Sequence, residues 1–216
     1  MKKISVLIPC YNEEENIEEL VNEIKHHFLE KLPNYNYEII FIDNASTDKT
    51  REIIEKISSK DKKIKAIFNI RNFGGLNSPY YGLLQTAGDC TIQIACDFQE
   101  PIEMIEKFVH EWENGYKIVV GVKNKSKENI IMKLIRKMYY RLLKKFSAVE
   151  QISQFTGFGL YDKDFISILR KLNDPTPFFR GIVAEYGYKR KELYYEQSKR
   201  KHGKSKYNFY NLFDYA

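Results

Sequence analysis

An α/β fold, a doubly wound and mostly parallel sheet with its ligand site at the carboxyl ends of the strands, follows from three features of this 216-residue chain. Short apolar runs rich in β-branched residues recur at Ile4–Ile8, Tyr37–Ile42, Lys65–Ile70, Thr91–Ala95 and Tyr116–Gly121. Stretches with helical apolar spacing separate them, the alternation that builds βαβ units with right-handed crossovers. The first, second and fourth runs end in polar, turn-forming clusters. These are Pro9-Cys10-Tyr11-Asn12-Glu13, Asp43-Asn44-Ala45-Ser46-Thr47-Asp48 and Cys96-Asp97-Phe98-Gln99-Glu100-Pro101. Because ligands of open α/β sheets sit beyond the carboxyl ends of the strands, the three clusters are expected at one rim, as one site.

Asn12 is a candidate cap for the first helix, which carries Ile17, Leu20, Val21, Ile24 and Phe28 on one face. The second helix follows Ser46 or Thr47 and turns Ile53, Ile54 and Ile57 inward. Arg71-Asn72-Phe73-Gly74-Gly75 leads from the third strand into a helix reaching Ala87, and Gly88-Asp89 turns the chain into the fourth strand. Pro101 suits the first turn of the next helix, which ends around Gly115. Beyond Gly121 the rhythm changes. A long amphipathic helix is expected over residues 128–147, then a glycine-punctuated loop into a short strand over 154–161. A helix after Asp162, a helical stretch over 178–186 and an extended one over 188–197 complete the pattern.

The length and a hydrophobic content of 43% suit one domain with a substantial core. The net charge is +6, and it is unevenly spread. Lys123–Lys145 holds nine bases and one acid, Lys189–Lys206 eight bases and two acids, and the remainder is acidic. Two concentrated basic segments on an acidic body point to an anionic partner. Cys10, Cys90 and Cys96 are too few and too strand-bound for a disulfide framework, and buried thiols in a reducing cytoplasm are expected. No apolar run suits a signal peptide or approaches the ~18 residues of a spanning helix. The chain stops at Tyr215-Ala216 in mid-pattern, from which a longer gene product is expected.

The strand-end residues suit a nucleoside diphosphate and its metal. Pro9 and Tyr11 would wall a flat base, Asp43 would accept from a uracil or guanine N–H, and Glu13 would reach ribose hydroxyls. The ordinary alternative is a strand-to-helix turn, with Asp43 as a local cap. Asp97 is the sharpest candidate. A diphosphate leaving group calls for a divalent cation, and Mg²⁺ or Mn²⁺ takes oxygen ligands such as Asp97 with Gln99 two residues on. Capping of the following helix by Asp97 or Glu100 is the plainer possibility. Gly74-Gly75 would let backbone approach the ligand closely.

In order and spacing, these blocks together with Arg71-Asn72-Phe73-Gly74 resemble the family 2 glycosyltransferases of GT-A fold. Asp97-Phe98-Gln99-Glu100-Pro101 and Arg200-x-x-Gly203-Lys204-Ser205-Lys206-Tyr207 resemble more narrowly the dolichyl-phosphate mannosyltransferase-like branch, with its bacterial polyprenyl-phosphate relatives. The resemblance implies a UDP- or GDP-linked sugar donor, a divalent metal, inversion at the anomeric carbon, and transmembrane helices beyond the C-terminus. By position it makes Pro9, Tyr11, Glu13 and Asp43 nucleotide-contacting and sets Asp97 and Gln99 at metal and diphosphate. One departure is Ala95, which stands where the family's Asp-x-Asp has its first acid. Residues 1–121 are then the donor-binding half and 122–216 the acceptor-binding half.

A polyprenyl phosphate acceptor needs no general base, because a phosphomonoester with its second pKa near ~6 is largely dianionic at neutral pH. It needs cations, and Lys123, Lys125, Arg200, Lys204 and Lys206 are placed to supply them. The long basic helix also suits an anionic membrane surface. A glycan or protein hydroxyl as acceptor would instead require a base, for which Asp162, Asp164 or, best of these, Glu185 is available. Ala95 keeps open a third reading, a non-catalytic basic membrane or RNA adaptor. No RNA-binding module pattern accompanies the basic clusters, so no nucleic acid is expected.

Overall fold

The computed structural model describes residues 1–124, 152–175, 177–186 and 189–203. Seven strands form one sheet in the order β3-β2-β1-β4-β6-β5-β7. They are β1 (Lys3–Cys10), β2 (Asn36–Asp43), β3 (Ile64–Phe68), β4 (Cys90–Gln93), β5 (Ile118–Lys123), β6 (Phe155–Asp162) and β7 (Arg190–Tyr195). β1 pairs in parallel with β2 and β4, β2 with β3, and β5 with β7; β6 alone runs antiparallel, between β4 and β5. The helices are α1 (Ile17–Lys31), α2 (Thr50–Lys60), α3 (Gly74–Leu84), α4 (Met104–Glu113), α5 (Lys163–Leu172) and α6 (Phe179–Glu185).

Strict alternation along the strands builds two cores. Ile4, Val6, Ile8, Ile39, Phe41 and Val119 face α1, α2 and α4, whereas Leu7, Ile40, Ile42, Ile118 and Val120 face α3, α5 and α6. A sheet covered on both faces explains why these strands read as unbroken apolar runs. Each fully buried Ile or Leu stabilises the fold by roughly 1.5–3 kcal/mol relative to exposure.

Several expectations require correction. α1 begins at Ile17, not near Asn12; Asn12 lies at φ +55, and its Oδ1 accepts from the Thr47 amide at 2.7 Å. Asn12 thus ties the first strand-end loop to the second instead of capping a helix. Pro101 precedes α4 by a separate hydrogen-bonded turn, with Met104 N donating to Pro101 O at 3.1 Å. The short strand expected at the end of a loop over 154–161 is longer than expected: β6 takes up eight mostly buried residues, and it separates β5 from β4. Its glycines permit close packing: a Cβ on Gly159 would lie 2.5 Å from the Val119 carbonyl oxygen. The helix expected over 128–147 lies outside the described residues.

One buried charge spans three strands. Glu38 on β2, 2% exposed, accepts from Ser5 Oγ and Lys3 Nζ at 2.6 Å each and pairs with Lys65 Nζ at 2.7 Å. Burial pushes its carboxyl up, but the hydrogen bonds from Lys3, Lys65 and Ser5 outweigh burial and hold it at about 2. A carboxyl lowered in this way contributes stability that is present above its unfolded value of 4.5 and lost as the pH falls towards about 2. Glu38→Gln is expected to lower unfolding free energy at neutral pH by about 1–3 kcal/mol. It should also flatten that part of the acid limb in urea titrations across the pH range. Gly159→Ala is expected to cost about 1–3 kcal/mol, read in the same titrations, because backbone rather than a flexible side chain must yield.

Candidate active site

Three strand-to-helix loops leave the sheet side by side. Cys10 at the end of β1 is in register with Asp43 at the end of β2, and β4 pairs with the other edge of β1. Each loop holds a non-glycine residue in left-handed conformation: Asn12 at φ +55, Ala45 at +62 and Phe98 at +58. Such conformations are costly unless the surroundings over-determine them, and they concentrate where side chains must be aimed. A cleft of about 930 Å³ opens above this rim.

Most of the expected residues meet in that cleft. Pro9, Tyr11, Glu13, Gly74, Asp97, Gln99, Lys123 and Arg200 all line it. Gly74 opens α3 at φ +81, where a side chain would be strained. Asp97 Oδ1 accepts from the Gln99 amide at 3.1 Å, and its Oδ2 from Arg200 Nη2 at 3.0 Å. Glu13, 8% exposed, accepts from Arg200 Nη1 at 2.9 Å and from Asn16 Nδ2 at 2.7 Å. Burial pushes the Glu13 carboxyl up against the opposing pull of Arg200 and Asn16. Arg200, expected at an acceptor phosphate, instead bridges the two carboxylates.

Other expected residues are not brought to the cleft. Asp43 is 1% exposed and stands behind the wall, its carboxylate taken by the Ser46 hydroxyl and amide. It acts as the local cap of its turn, and its neighbour Asn44 reaches the cleft instead. Glu185 is exposed at the end of α6 and is not among the residues that line the cleft. Asp162 caps α5, accepting from the Asp164 amide at 2.9 Å and the Trp112 indole at 2.7 Å. Its pairing with Cys90 puts it at the opposite end of β4. Lys125, Lys204 and Lys206 lie outside the described residues.

Two site residues escaped the sequence reading. Asn44 Oδ1 accepts from the Phe73 amide at 2.9 Å while its Nδ2 donates to Asn72 Oδ1 at 2.9 Å, fastening the β2 loop to the start of α3. Glu100 caps nothing. It accepts from the Ala95 amide at 2.7 Å and Thr156 Oγ1 at 3.0 Å, so a carboxylate restrains the backbone at the position where Ala95 lacks one. Burial, reinforced by the nearby Asp97 charge, pushes the Glu100 carboxyl up to about 7. Cys10, Cys90 and Cys96 are buried free thiols, as expected, and burial pushes each of them up.

The donor set fits a hard divalent cation. Asp97 and Glu13 present carboxylate oxygens to a single guanidinium, and Gln99 lines the same cleft. Among the described residues no group of three or more His, Cys, Asp or Glu comes together. A Mg²⁺-like ion that keeps waters and ligand phosphate oxygens does not need one.

Comparison with known proteins identifies the family and the fold. CsbB of Bacillus subtilis is 31% identical over 213 residues, 99% of this chain and 64% of its own length. The bactoprenol glucosyl transferase of Shigella phage SfX is 29% identical over 215 residues, 99% of this chain and 70% of its own. This chain thus spans about two thirds of the length of such relatives. The mannosyltransferase PcManGT of Pyrobaculum calidifontis, solved with GDP-Man and Mn²⁺, superposes with a TM-score of 0.59 at 18% identity, over 89% of this chain and 55% of that one. That likeness shows a common GT-A fold. The profile of Glycosyl transferase family 2 matches residues 5–176, and the chain belongs to that family.

Proposed function

We propose that this chain is the catalytic domain of an inverting glycosyltransferase that moves a sugar from a nucleoside-diphosphate sugar to a polyprenyl phosphate. The observation that carries the reading is the meeting, in one cleft, of Asp97 and Gln99 with Lys123 and Arg200. The carboxylate and amide suit a metal–diphosphate, Arg200 balances the negative charge gathered there, and Lys123 suits a second anionic substrate. A relative named as a bactoprenol glucosyl transferase supports the acceptor class, and a fold relative crystallised with GDP-Man and Mn²⁺ supports the donor and metal class.

In this reading Pro9 and Tyr11 wall the base, and the Asn44-fastened loop with Gly74 closes the donor side. Asp97 and Gln99 would hold Mg²⁺ or Mn²⁺, which would supply neutralisation of charge on the leaving diphosphate. Glu100 holds the Ala95–Asp97 backbone so that Asp97 faces the cleft. Lys123 orients the acceptor phosphate, while Arg200 stays with the carboxylates and the diphosphate on the donor side. One phosphate oxygen forms the new bond to the anomeric carbon as the bond to the diphosphate breaks on the opposite face, which inverts the centre. No side chain has to take a proton, since the phosphate is already ionised at neutral pH.

A hydroxyl acceptor would need a base beside it. Glu185 is not at the cleft, and both Glu100 oxygens are engaged by Ala95 and Thr156. The phosphate acceptor is therefore favoured. No helix among the described residues is long and apolar enough to cross a membrane. We place the site at the cytoplasmic membrane face because the proposed acceptor is a membrane lipid.

The test is turnover by the full-length protein with a panel of UDP- and GDP-sugars, offered undecaprenyl phosphate beside a soluble glycan. Sugar should appear on the lipid phosphate, and transfer to the glycan alone would falsify the acceptor assignment. Asp97→Asn is expected to reduce turnover by roughly 10²-fold or more, the scale of losing one electrostatic stabiliser of the leaving group. Nucleotide binding in the presence of a chelator should stay close to wild type.

A further inference from the structure

We infer that Arg200 is a built-in counter-cation that occupies the metal-binding face of Asp97, and that a divalent cation takes its place only when a nucleoside diphosphate draws the guanidinium away. This rests on the reading above that Asp97 holds the metal.

Arg200 reaches its partners from far along the chain. Its Nη1 lies 2.9 and 3.2 Å from the two Glu13 carboxylate oxygens, and its Nη2 lies 3.0 Å from Asp97 Oδ2. The three side chains are 18%, 9% and 11% exposed, so water screens little of the attraction. The backbone around Arg200 is fastened to the same loop. Ser198 N donates to Gln99 O at 3.2 Å, Lys201 N to Asp97 O at 3.4 Å, and Gln99 Nε2 to Ser198 O at 3.4 Å. Lys201 anchors the far side: its Nζ is 2.7 Å from Glu19 and 3.4 Å from Glu23, and it stands 4.7 Å from the centre of the Phe98 ring. Residues 196–203 therefore form a strap across Asp97 and Gln99.

Two physical consequences follow. A guanidinium N–H and a metal ion compete for the same carboxylate lone pairs, so an ion approaching Asp97 Oδ2 must displace Arg200. With Arg200 in place, the Glu13–Asp97 pair also presents one net negative charge rather than two. A free divalent ion is held weakly for both reasons. A diphosphate in the cleft changes the balance, because its oxygens offer Arg200 an alternative forked partner while adding ligands for the ion. Metal and nucleotide then favour one another, and the coupling is reciprocal. The strap halves the charge of the buried carboxylates in the empty enzyme and makes the arrival of metal conditional on the donor.

The test is Mn²⁺ binding, followed by electron paramagnetic resonance on the full-length protein, with and without UDP. Without nucleotide, Arg200→Gln should bind Mn²⁺ about tenfold more tightly than wild type, within the usual range of such couplings. UDP should sharpen Mn²⁺ binding of the wild type much more than that of the variant. Lys201→Ala, which leaves both carboxylates and Arg200 intact, should loosen the strap and tighten Mn²⁺ binding a few-fold. It decides the matter if Arg200→Gln does not fold. Mn²⁺ binding no tighter than wild type in the folded variants overturns the inference. A wild type that binds no Mn²⁺ even with UDP present overturns the metal reading itself, a distinct and recognisable outcome.

Discussion

The position of β1 between β2 and β4 is the constraint on which the site depends. Parallel pairing on both edges sends three consecutive strand ends out at one rim, and the registers set how far each loop protrudes. Because both faces of these strands are buried, a slip of one residue would exchange the two cores, so the register is strongly specified. The loops inherit that rigidity. Asn12 bonded to Thr47, Asn44 to Phe73 and Glu100 to Ala95 and Thr156 then join loop to loop and loop to sheet. The cleft is consequently shaped by polar side chains pinned from behind.

Charge in the cleft follows from this construction. Glu13, Asp97 and Glu100 are all buried residues, and three carboxylates cannot all stay ionised in such surroundings without compensation. The structure resolves the conflict in two ways. Glu13 and Asp97 share a guanidinium, while Glu100 accepts an amide and a hydroxyl and is held near neutrality. Ala95 fits the same logic, since an acid at its position would add a further charge beside Asp97 and Glu100.

The apolar periods made β1, β2, β4 and the faces of α1 and α2 legible, because burial on both sides of a parallel sheet leaves its mark in every residue. The rim location of Pro9, Tyr11, Glu13, Asp97 and Gln99 was legible for the same reason. β6 was legible only as a short strand at the end of a loop: its glycines carry the signature of a loop, and the neighbouring Val119 carbonyl shows that they make room for a longer strand. That Asn44 rather than Asp43 reaches the cleft turns on which way one loop faces, which composition does not report. Arg200 reaches Glu13 across 187 positions of sequence, and no local pattern announces a contact of that kind. The same holds for Glu100, which resembles a helix cap until Thr156 is seen beside it.

The insertion of an antiparallel strand into the middle of the sheet has a bearing on synthesis. Until residues 155–162 have left the ribosome, β4 is a raw edge whose amides and carbonyls have no neighbour on one side, and β5 has no route to the growing sheet. Unfinished edges of this sort recruit strands from other chains. The nascent polypeptide must pass through an interval of vulnerability that runs from the end of β5 at Lys123 to the end of β6 at Asp162. Zippering of β6 into the gap ends it and joins β5 to the sheet.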